Sequence, residues 1–214
     1  MSWINFLKTK AEVADMFEKF KSYVETQCSK KILSLRSNNG IEYTSSRFRN
    51  LCVVAGIEHQ FTAPYSHQQN GVSERKNRSI MEMARCLMHK KELPNKFWVE
   101  ATNIVAFLLN KLPTGAVDGK TPYEAWYGTK PNLKNLRVFG CLCYSHIPLV
   151  KRSKMDEKSE LGIFIGYCMQ SKGYRIYQPQ TDRVVVSRDV VFMEEEKWSW
   201  ESKGQVQTQA SPQM

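Results

Sequence analysis

The stretch LRSNNGIEY, residues 35–43, sets the pattern for the elements around it. It completes the run KILSLRS, Lys31 to Ser37, whose composition predicts a strand with Ile32 at its buried start. Gly40 permits the turn that follows, and Asn38 is a residue type that turns accept well. The stretch therefore predicts a strand that ends in a tight turn, and on local pattern alone Asn38 is a turn residue.

Helical and strand patterns alternate on either side of this strand. Upstream, WINFLK at Trp3–Lys8 alternates apolar and polar residues, which predicts another strand. Thr9 and Glu12 form a T-x-x-E capping box that opens a helix. Downstream, the pattern predicts a helix at 46–55 stopped by Gly56, a strand at 57–63, a polar loop PYSHQQNG at 64–71, and a helix of roughly twenty residues to about Lys91.

The pattern changes from helical to β-type near Leu136. Before that point, an apolar face predicts a helix at 97–111, and Thr121-Pro122 begins a short helix that Gly128 ends. After it, the runs LRVFGCLCYSHI, GIFIGY, YRIYQP and RVVVSRDVVF predict a small antiparallel barrel or sheet. The charged segment Lys151–Glu160 fits an exposed linker better than a phosphate-binding patch.

The chain carries a strong positive charge. Its 31 Lys and Arg against 21 Asp and Glu give a formal net charge of +10, which suits a polyanionic partner, although a soluble basic surface gives the same balance. Its six cysteines lack zinc-site spacing, so we expect a reduced, intracellular protein with buried thiols. The longest apolar run, Ile104–Leu109, is too short to cross a bilayer, and no membrane contact is expected.

A colinear set of motifs runs through nearly the whole chain. LRSNNGIEY is followed by QQNGVSERKNRSIMEMAR, with 35 residues between Asn38 and Glu74, and then by LPNKFWVEA, TPYEAWYGTKP, LRVFGCLCY, IFIGY, SKGYRIYQP and SRDVVF. From Trp3 to about Glu194 the chain resembles the integrase region of copia-type long-terminal-repeat retrotransposons. The resemblance implies an α/β fold: an incomplete ribonuclease-H-like integrase core lacking its first two strands, followed by helices and a small C-terminal β-barrel-like domain.

The same resemblance implies a division along the chain. We expect a partial catalytic core at 1–93, a helical extension at 94–135, a small antiparallel β domain at 136–196 and a disordered tail at 197–214. The chain begins at what resembles the family's third strand, so it is expected to be a fragment. In the family's sheet, with strand order 3-2-1-4-5, the two missing strands lie between the third and the fourth. The segments Trp3–Lys8 and Lys31–Ser37 would then either pair directly or leave a loose, exposed sheet edge.

The resemblance also implies a metal site of three carboxylates, Asp, Asp and Glu, that hold two Mg²⁺ ions about 4 Å apart. Glu74 stands at the Glu position, Asn38 stands at the second Asp position, and the first Asp has no counterpart. An amide offers only a neutral oxygen, and Mg²⁺ gives up its water reluctantly. The expected site is therefore degenerate, with Glu74 alone, and neither productive Mg²⁺ binding nor catalysis is expected. Glu74 also fits as an acid favoured by the helix dipole.

DNA contact needs no metal ion, and the resemblance places it at the start of the long helix. Arg78 lies one turn beyond Glu74 and shares its face. Arg75 and Lys76 either touch phosphates from the flanks or are simply solvated. The residues expected to face DNA are Gln68, Asn70, Arg75, Lys76 and Arg78, and those expected to pack inward are Val72, Ile80, Met83, Ala84 and Leu87.

Three functions remain open at this point. The first is a catalytically inactive integrase remnant that binds DNA weakly and without sequence preference, in the nucleus if it follows its family. The second is a protein-interaction module that forms homo-oligomers or associates with an intact integrase as an inhibitor. The third is a decayed open reading frame without a function.

Overall fold

The computed structural model describes residues 1–63, 67–168 and 170–200, without the side chains of residues 67–70 and Lys151. The chain divides into two compact units. The first comprises Met1–Ala84 with Val105–Asn132, and the second comprises Arg85–Ile104 with the residues from Leu133 onward. Within the described residues, no helix is both long and apolar enough to cross a lipid bilayer. The four-part division of the chain stays a prediction.

The first unit is built on a two-stranded parallel sheet. Strands β1 and β2 pair in register from Ser34 opposite Glu58 to Ser37 opposite Phe61, and two helices, the longer of which spans Ser46–Ala55, connect one strand to the next. The predicted end of that helix at Gly56 is confirmed, since Gly56 adopts φ +67°. The helices and strands are α1 Val13–Cys28, β1 Ser34–Ser37, α2 Ile41–Thr44, α3 Ser46–Ala55, β2 Glu58–Phe61, α4 His67–Lys90, α5 Trp98–Lys111 and α6 Pro122–Tyr127.

The predicted strand at Trp3–Lys8 is wrong. These residues have no regular secondary structure, and β1 pairs with β2 alone among the described strands. Side-chain contacts hold the segment in place of a ladder. The Ser2 amide donates to Asn110 Oδ1 at 2.8 Å, and the Trp3 ring packs edge-on against Phe20 and Trp126 at centroid distances of 5.4 and 4.9 Å. An alternating pattern forms a strand only where a neighbouring strand can take its backbone hydrogen bonds.

The core of the first unit lies under α3. Phe48 is fully buried, and its ring contacts the rings of Phe17, Tyr43 and His59 at centroid distances of 5.2, 5.3 and 5.4 Å. The other buried members are Ala14, Cys52 and Ile57. Partly buried apolar residues complete the cluster: Val13, Phe17, Ile32, Leu35, Tyr43 and Ala55.

The long helix begins earlier than predicted. A loop was expected at 64–71, but the helix already begins at His67 and includes residues 67–71. The first three residues of the expected loop, 64–66, lie outside the described part. Of the five residues expected to pack inward, Ile80 and Ala84 are buried and Met83 and Leu87 are half-buried. Val72 is 75% exposed, which contradicts its predicted inward position. Asn and Gly near the start favoured a loop, but the helix continues through them.

The short helix before the β region matches its prediction. Thr121 Oγ1 accepts a hydrogen bond from the Glu124 amide at 3.0 Å, Pro122 occupies the first turn, and Gly128 ends the helix at φ +72°.

The second unit contains the predicted antiparallel sheet, in the order β6-β5-β4-β3-β7. The apolar run RVVVSRDVVF forms two strands, which pair at opposite ends of this sheet. Gly162 lies in the interior, where a Cβ would stand 2.3 Å from Ile176 Cγ2, so the strands pack closely there. The strands are β3 Leu142–His146, β4 Ser159–Cys168, β5 Gly173–Gln178, β6 Arg183–Ser187 and β7 Val190–Met193.

A buried lysine ties the segment after β7 to this unit. Lys91 Nζ donates to the carbonyl oxygens of Glu194 and Glu196 at 2.6 and 3.0 Å. A few residues further on, the Trp200 ring lies 5.8 Å from that of Phe97. Residues 197–200 of the predicted disordered tail thus lie in the described part, where Trp200 contacts this unit, and the rest of the tail lies outside it.

The prediction of buried thiols holds for half of the cysteines. All six are unpaired, and Cys52, Cys141 and Cys143 are buried. Burial raises the pKa of the Cys141 thiol to about 11 and that of Cys143 to about 12, so both stay protonated at neutral pH. They serve as small apolar side chains in the sheet rather than as reactive groups.

Candidate nucleic-acid interface and degenerate carboxylate site

Asn38 lies directly after β1 and forms the turn that its sequence predicts. Its side-chain Oδ1 accepts a hydrogen bond from the Gly40 amide at 3.1 Å. Asn39 fixes the same turn, since its Nδ2 donates to the Thr62 carbonyl at 2.8 Å. The Asn38 oxygen that stands at the expected metal position is therefore already used to hold the backbone.

A cavity of about 500 Å³ opens beside this turn. Asn38 lines it together with Ser73 and Asn77 of α4. These two helix residues lie four apart on one face, so the structure brings that face of α4 to the end of β1. Glu74 and Arg78, which follow them by one position, are exposed and are not among the residues that line the cavity.

The residues present do not fit a Mg²⁺ pair. Among the described residues, no group of three or more His, Cys, Asp or Glu side chains is placed to hold a metal ion. Glu74 supplies one exposed carboxylate, and the Asn38 side-chain oxygen is neutral and accepts a hydrogen bond from the Gly40 amide. Two hard cations held close together need several anionic oxygens, which this arrangement does not offer.

The basic residues predicted to face DNA form an exposed band on α4. Arg75 and Arg78 are exposed and Lys76 is half-buried. Within the described residues, none of the three makes an ion pair with a carboxylate. The pKa of the Met1 amino group is lowered. Burial is the main cause, and the positive charge of the Lys76 ammonium group is the second. The side chains of Gln68 and Asn70 lie outside the described part, although their backbone belongs to α4.

Sequence reasoning missed one residue at the base of this site, His59 on β2. Its Nε2 lies 2.8 Å from Ser37 Oγ, and its Nδ1 is buried without a hydrogen-bond partner among the described residues. Ser37 Oγ also donates to the Asn38 carbonyl at 3.0 Å, so the imidazole supports the turn indirectly. The parallel register of β1 and β2 creates this contact, and no local pattern in the sequence indicates it.

We expect the protein to lose stability as the pH falls through about 6.5, the ordinary pKa of histidine. Burial, and then the nearby Arg49 guanidinium, lower the pKa of the His59 imidazole below that value. The unfolded chain therefore takes up a proton before the folded chain does, and the free energy of unfolding decreases until the pH passes the folded pKa. Urea unfolding at about pH 7.5 and about pH 5.5 measures the loss. His59→Gln should show a smaller loss, and an unchanged loss in this variant would contradict the assignment.

The order and pairing of the described elements can be compared with the fold that the sequence predicts. Parallel pairing of β1 with β2, joined through α3 and followed by the long α4, is the arrangement expected of strands four and five of a ribonuclease-H-like integrase core. The five-stranded antiparallel sheet then follows, as predicted. The described elements are those of an integrase-core-like α/β region followed by helices and a small antiparallel β domain.

Comparison with known families and proteins gives the particular lineage. Residues 141–207 match the retroviral polymerase SH3-like domain. The chain is 41% identical over 91% of its length to the retrovirus-related Pol polyprotein from transposon TNT 1-94 of Nicotiana tabacum. It is 35% and 34% identical over 90% of its length to those from transposons RE2 and RE1 of Arabidopsis thaliana. The chain is thus similar to the Pol polyproteins of plant retrotransposons, as its motifs indicated, and it spans only 15%, 13% and 13% of the length of these relatives.

Three solved structures show a partial likeness to this chain. The catalytic core domain of BIV integrase is 26% identical, with a TM-score of 0.42 over 59% of this chain and 76% of that one. The simian T-cell lymphotropic virus intasome with PP2A regulatory subunit B56 gamma gives a TM-score of 0.46 at 16% identity, over 86% and 63%. The HTLV-2 integrase catalytic core domain with magnesium gives 0.42 at 23% identity, over 56% and 71%.

Proposed function

We propose that this chain is a catalytically inactive relative of a retrotransposon integrase that binds DNA weakly and without sequence preference. The nucleus, where that DNA lies, is its proposed place of action. The observation that carries the proposal is the contrast between the two halves of the site. The basic band of Arg75, Lys76 and Arg78 is free of ion pairs within the described residues, whereas the metal position at Asn38 holds an engaged amide.

The proposed inactivity rests on the small number of negatively charged oxygens at the site. A phosphodiester exchange with two metal ions requires anionic oxygens that fix both cations against the attacking and leaving oxygens. Asn38 contributes none, and its orientation is set by the Gly40 amide. Glu74 alone cannot balance two divalent ions, so no step of metal-assisted strand transfer is assigned to these residues.

The proposed DNA binding rests on the release of counterions from the phosphates. Cations on a helix surface that have no carboxylate partner among the described residues can each neutralise a phosphate and release a condensed counterion. The net charge of +10 adds long-range attraction for any polyanion. These contacts go to the backbone of the DNA, so they position the protein without reading sequence.

Replacing Arg75, Lys76 and Arg78 together with alanine should reduce DNA affinity and its dependence on salt. The loss of three phosphate contacts lowers the slope of log K against log salt concentration by about 2 to 3. Fluorescence anisotropy with a labelled duplex of mixed sequence, measured over a series of salt concentrations, gives both quantities. A scrambled duplex should bind equally well.

The matched control removes the same charge elsewhere. Lys19, Lys30 and Lys130 are exposed residues of the first unit, and their triple alanine variant has the same net charge as the α4 variant. It should keep most of the salt slope of the parent chain. Equal losses in the two variants would show that net charge alone governs binding, and no binding by the parent chain at low salt would reject the proposal.

A further inference from the structure

The ammonium group of Lys96 lies among three aromatic rings of the second unit. Its Nζ atom stands 4.3 Å from the ring centroid of Tyr177, 5.3 Å from that of Phe97 and 5.8 Å from that of Trp200. A cation placed over an aromatic ring within about 6 Å of its centroid is attracted by the negative face of the ring. The three rings therefore hold one cation together, and we call them, with the carboxylate of Asp182, the Lys96 cage.

The carboxylate of Asp182 adds a negative charge to this cage. Its Oδ1 lies 3.0 Å from Lys96 Nζ and accepts a hydrogen bond from the Tyr177 hydroxyl at 2.5 Å. The same hydroxyl accepts a hydrogen bond from Lys96. The Tyr177 hydroxyl, and then Lys96, lower the pKa of the Asp182 carboxyl, so this group is ionised at neutral pH. Aromatic faces beside an ionised carboxylate suit an organic cation.

The walls of the Lys96 cage are fixed by packing and by the backbone. Phe97 and Tyr177 are only 4% and 6% exposed, and their rings meet edge-on at 4.9 Å. Trp200 packs against Phe97 with 5.8 Å between the ring centroids. Asp182 adopts φ +51°, a left-handed conformation in which Asp is one of the few accepted residues. The rings and the carboxylate therefore do not need to be ordered when a cation binds.

The side chain of Lys96 is held less firmly than these walls. It keeps 47% of its surface exposed, and the side chain of Asp182 keeps 79%, so the cage opens to solvent. A lysine has a flexible four-carbon stem, and rotation about its own bonds carries the ammonium group into water without a backbone change. Its departure would uncover the ring faces of Phe97 and Tyr177.

We propose that the Lys96 cage binds the trimethylammonium group of a methylated lysine from a partner protein, and that Lys96 is a displaceable occupant that limits access. Aromatic cages recognise such quaternary ammonium groups. Lys96 fills the cage in the absence of the ligand, so the apparent affinity falls with the fraction of molecules whose cage is open. The Asp182 carboxylate disfavours a choline headgroup, whose phosphate carries the same sign of charge. The basic band on α4 belongs to the first unit, so this inference does not depend on DNA binding.

Lys96→Ala should bind the probe, Nα-acetyl-Nε-trimethyllysine amide, at least about tenfold more tightly than the parent chain does. NMR titration followed at the indole N–H signals measures binding, and Trp200→Phe assigns the signal of Trp200. The parent chain should also bind, more weakly, because Lys96 must leave first. Equal affinities of the two proteins would overturn the proposal. So would a parent chain that fails to bind at about a hundredfold the dissociation constant of Lys96→Ala, since Lys96 would then be a fixed part of the core.

Matched controls separate recognition of the cation from effects of charge and shape. Lys154→Ala removes another exposed lysine of the second unit and should bind like the parent chain. A neutral probe with a tert-butyl group in place of trimethylammonium keeps the shape, and Lys96→Ala should bind it at least about tenfold more weakly. Asp182→Asn, added to Lys96→Ala, keeps a residue type that accepts positive φ and should weaken binding of the charged probe alone. Equal binding of the two probes, or tighter binding of phosphocholine, would contradict the proposal.

Discussion

Phe48→Ala should lower the free energy of unfolding of the first unit by about 3–5 kcal/mol. The Phe48 side chain is fully buried and contacts three aromatic rings, so its removal leaves a cavity that the short β1 and β2 strands cannot close. The total free energy of unfolding of a domain is only about 5–15 kcal/mol, so this loss is a large share of it. Urea unfolding followed by circular dichroism measures the change.

The same helix provides the control for this prediction. Val54 on α3 is 80% exposed, and Val54→Ala should change the free energy of unfolding by no more than about 0.5 kcal/mol. If Phe48→Ala had an effect as small as Val54→Ala, the core described around α3 would be wrong.

Lys91→Met should destabilise the second unit by about 2–4 kcal/mol. Each hydrogen bond from a charged donor contributes about 1.5–3 kcal/mol, and the apolar replacement recovers part of that loss. Lys91 is buried, and its ammonium group holds the carbonyls of Glu194 and Glu196. Methionine fills similar space but leaves both carbonyls without their donor. The segment after β7 should then exchange its amides faster, which hydrogen exchange measured by mass spectrometry detects.

Lys90→Met is the matched control, since it makes the same change in charge and volume at the exposed neighbouring position. It should leave both the unfolding midpoint and the exchange of residues 194–196 nearly unchanged. Equal effects of the two variants would show that the loss of a positive charge, rather than the buried hydrogen bonds, is responsible.

The sequence predicted elements well where local signals suffice. The helix that stops at Gly56 and the helix capped by Thr121 are both present, because caps and glycine stops act within one turn of the chain. The antiparallel β region is also as predicted, since its apolar runs lie close together and are separated by turns. Asn38 forms a turn for the same reason: its side chain bonds a backbone amide two residues on.

The failures occur where a distant partner decides the outcome. Trp3–Lys8 has a strand pattern but pairs with none of the described strands, and contacts of Ser2 and Trp3 with α5 and α6 hold it as an irregular segment. Val72 has an apolar side chain that stays 75% exposed among the described residues. The contact of His59 with Ser37 depends on the register between β1 and β2, which a single sequence does not specify.

The chemistry of the site tests the account most directly, through Asn38→Asp. This variant restores one carboxylate at the end of β1 but still leaves the described residues without the set that two Mg²⁺ ions require. Nicking of supercoiled plasmid DNA, with Mg²⁺ or Mn²⁺ present, is the measurement. We expect no metal-dependent nicking from the parent chain or from Asn38→Asp. Nicking by either protein that disappears in Glu74→Gln would contradict the proposal that this site is inactive.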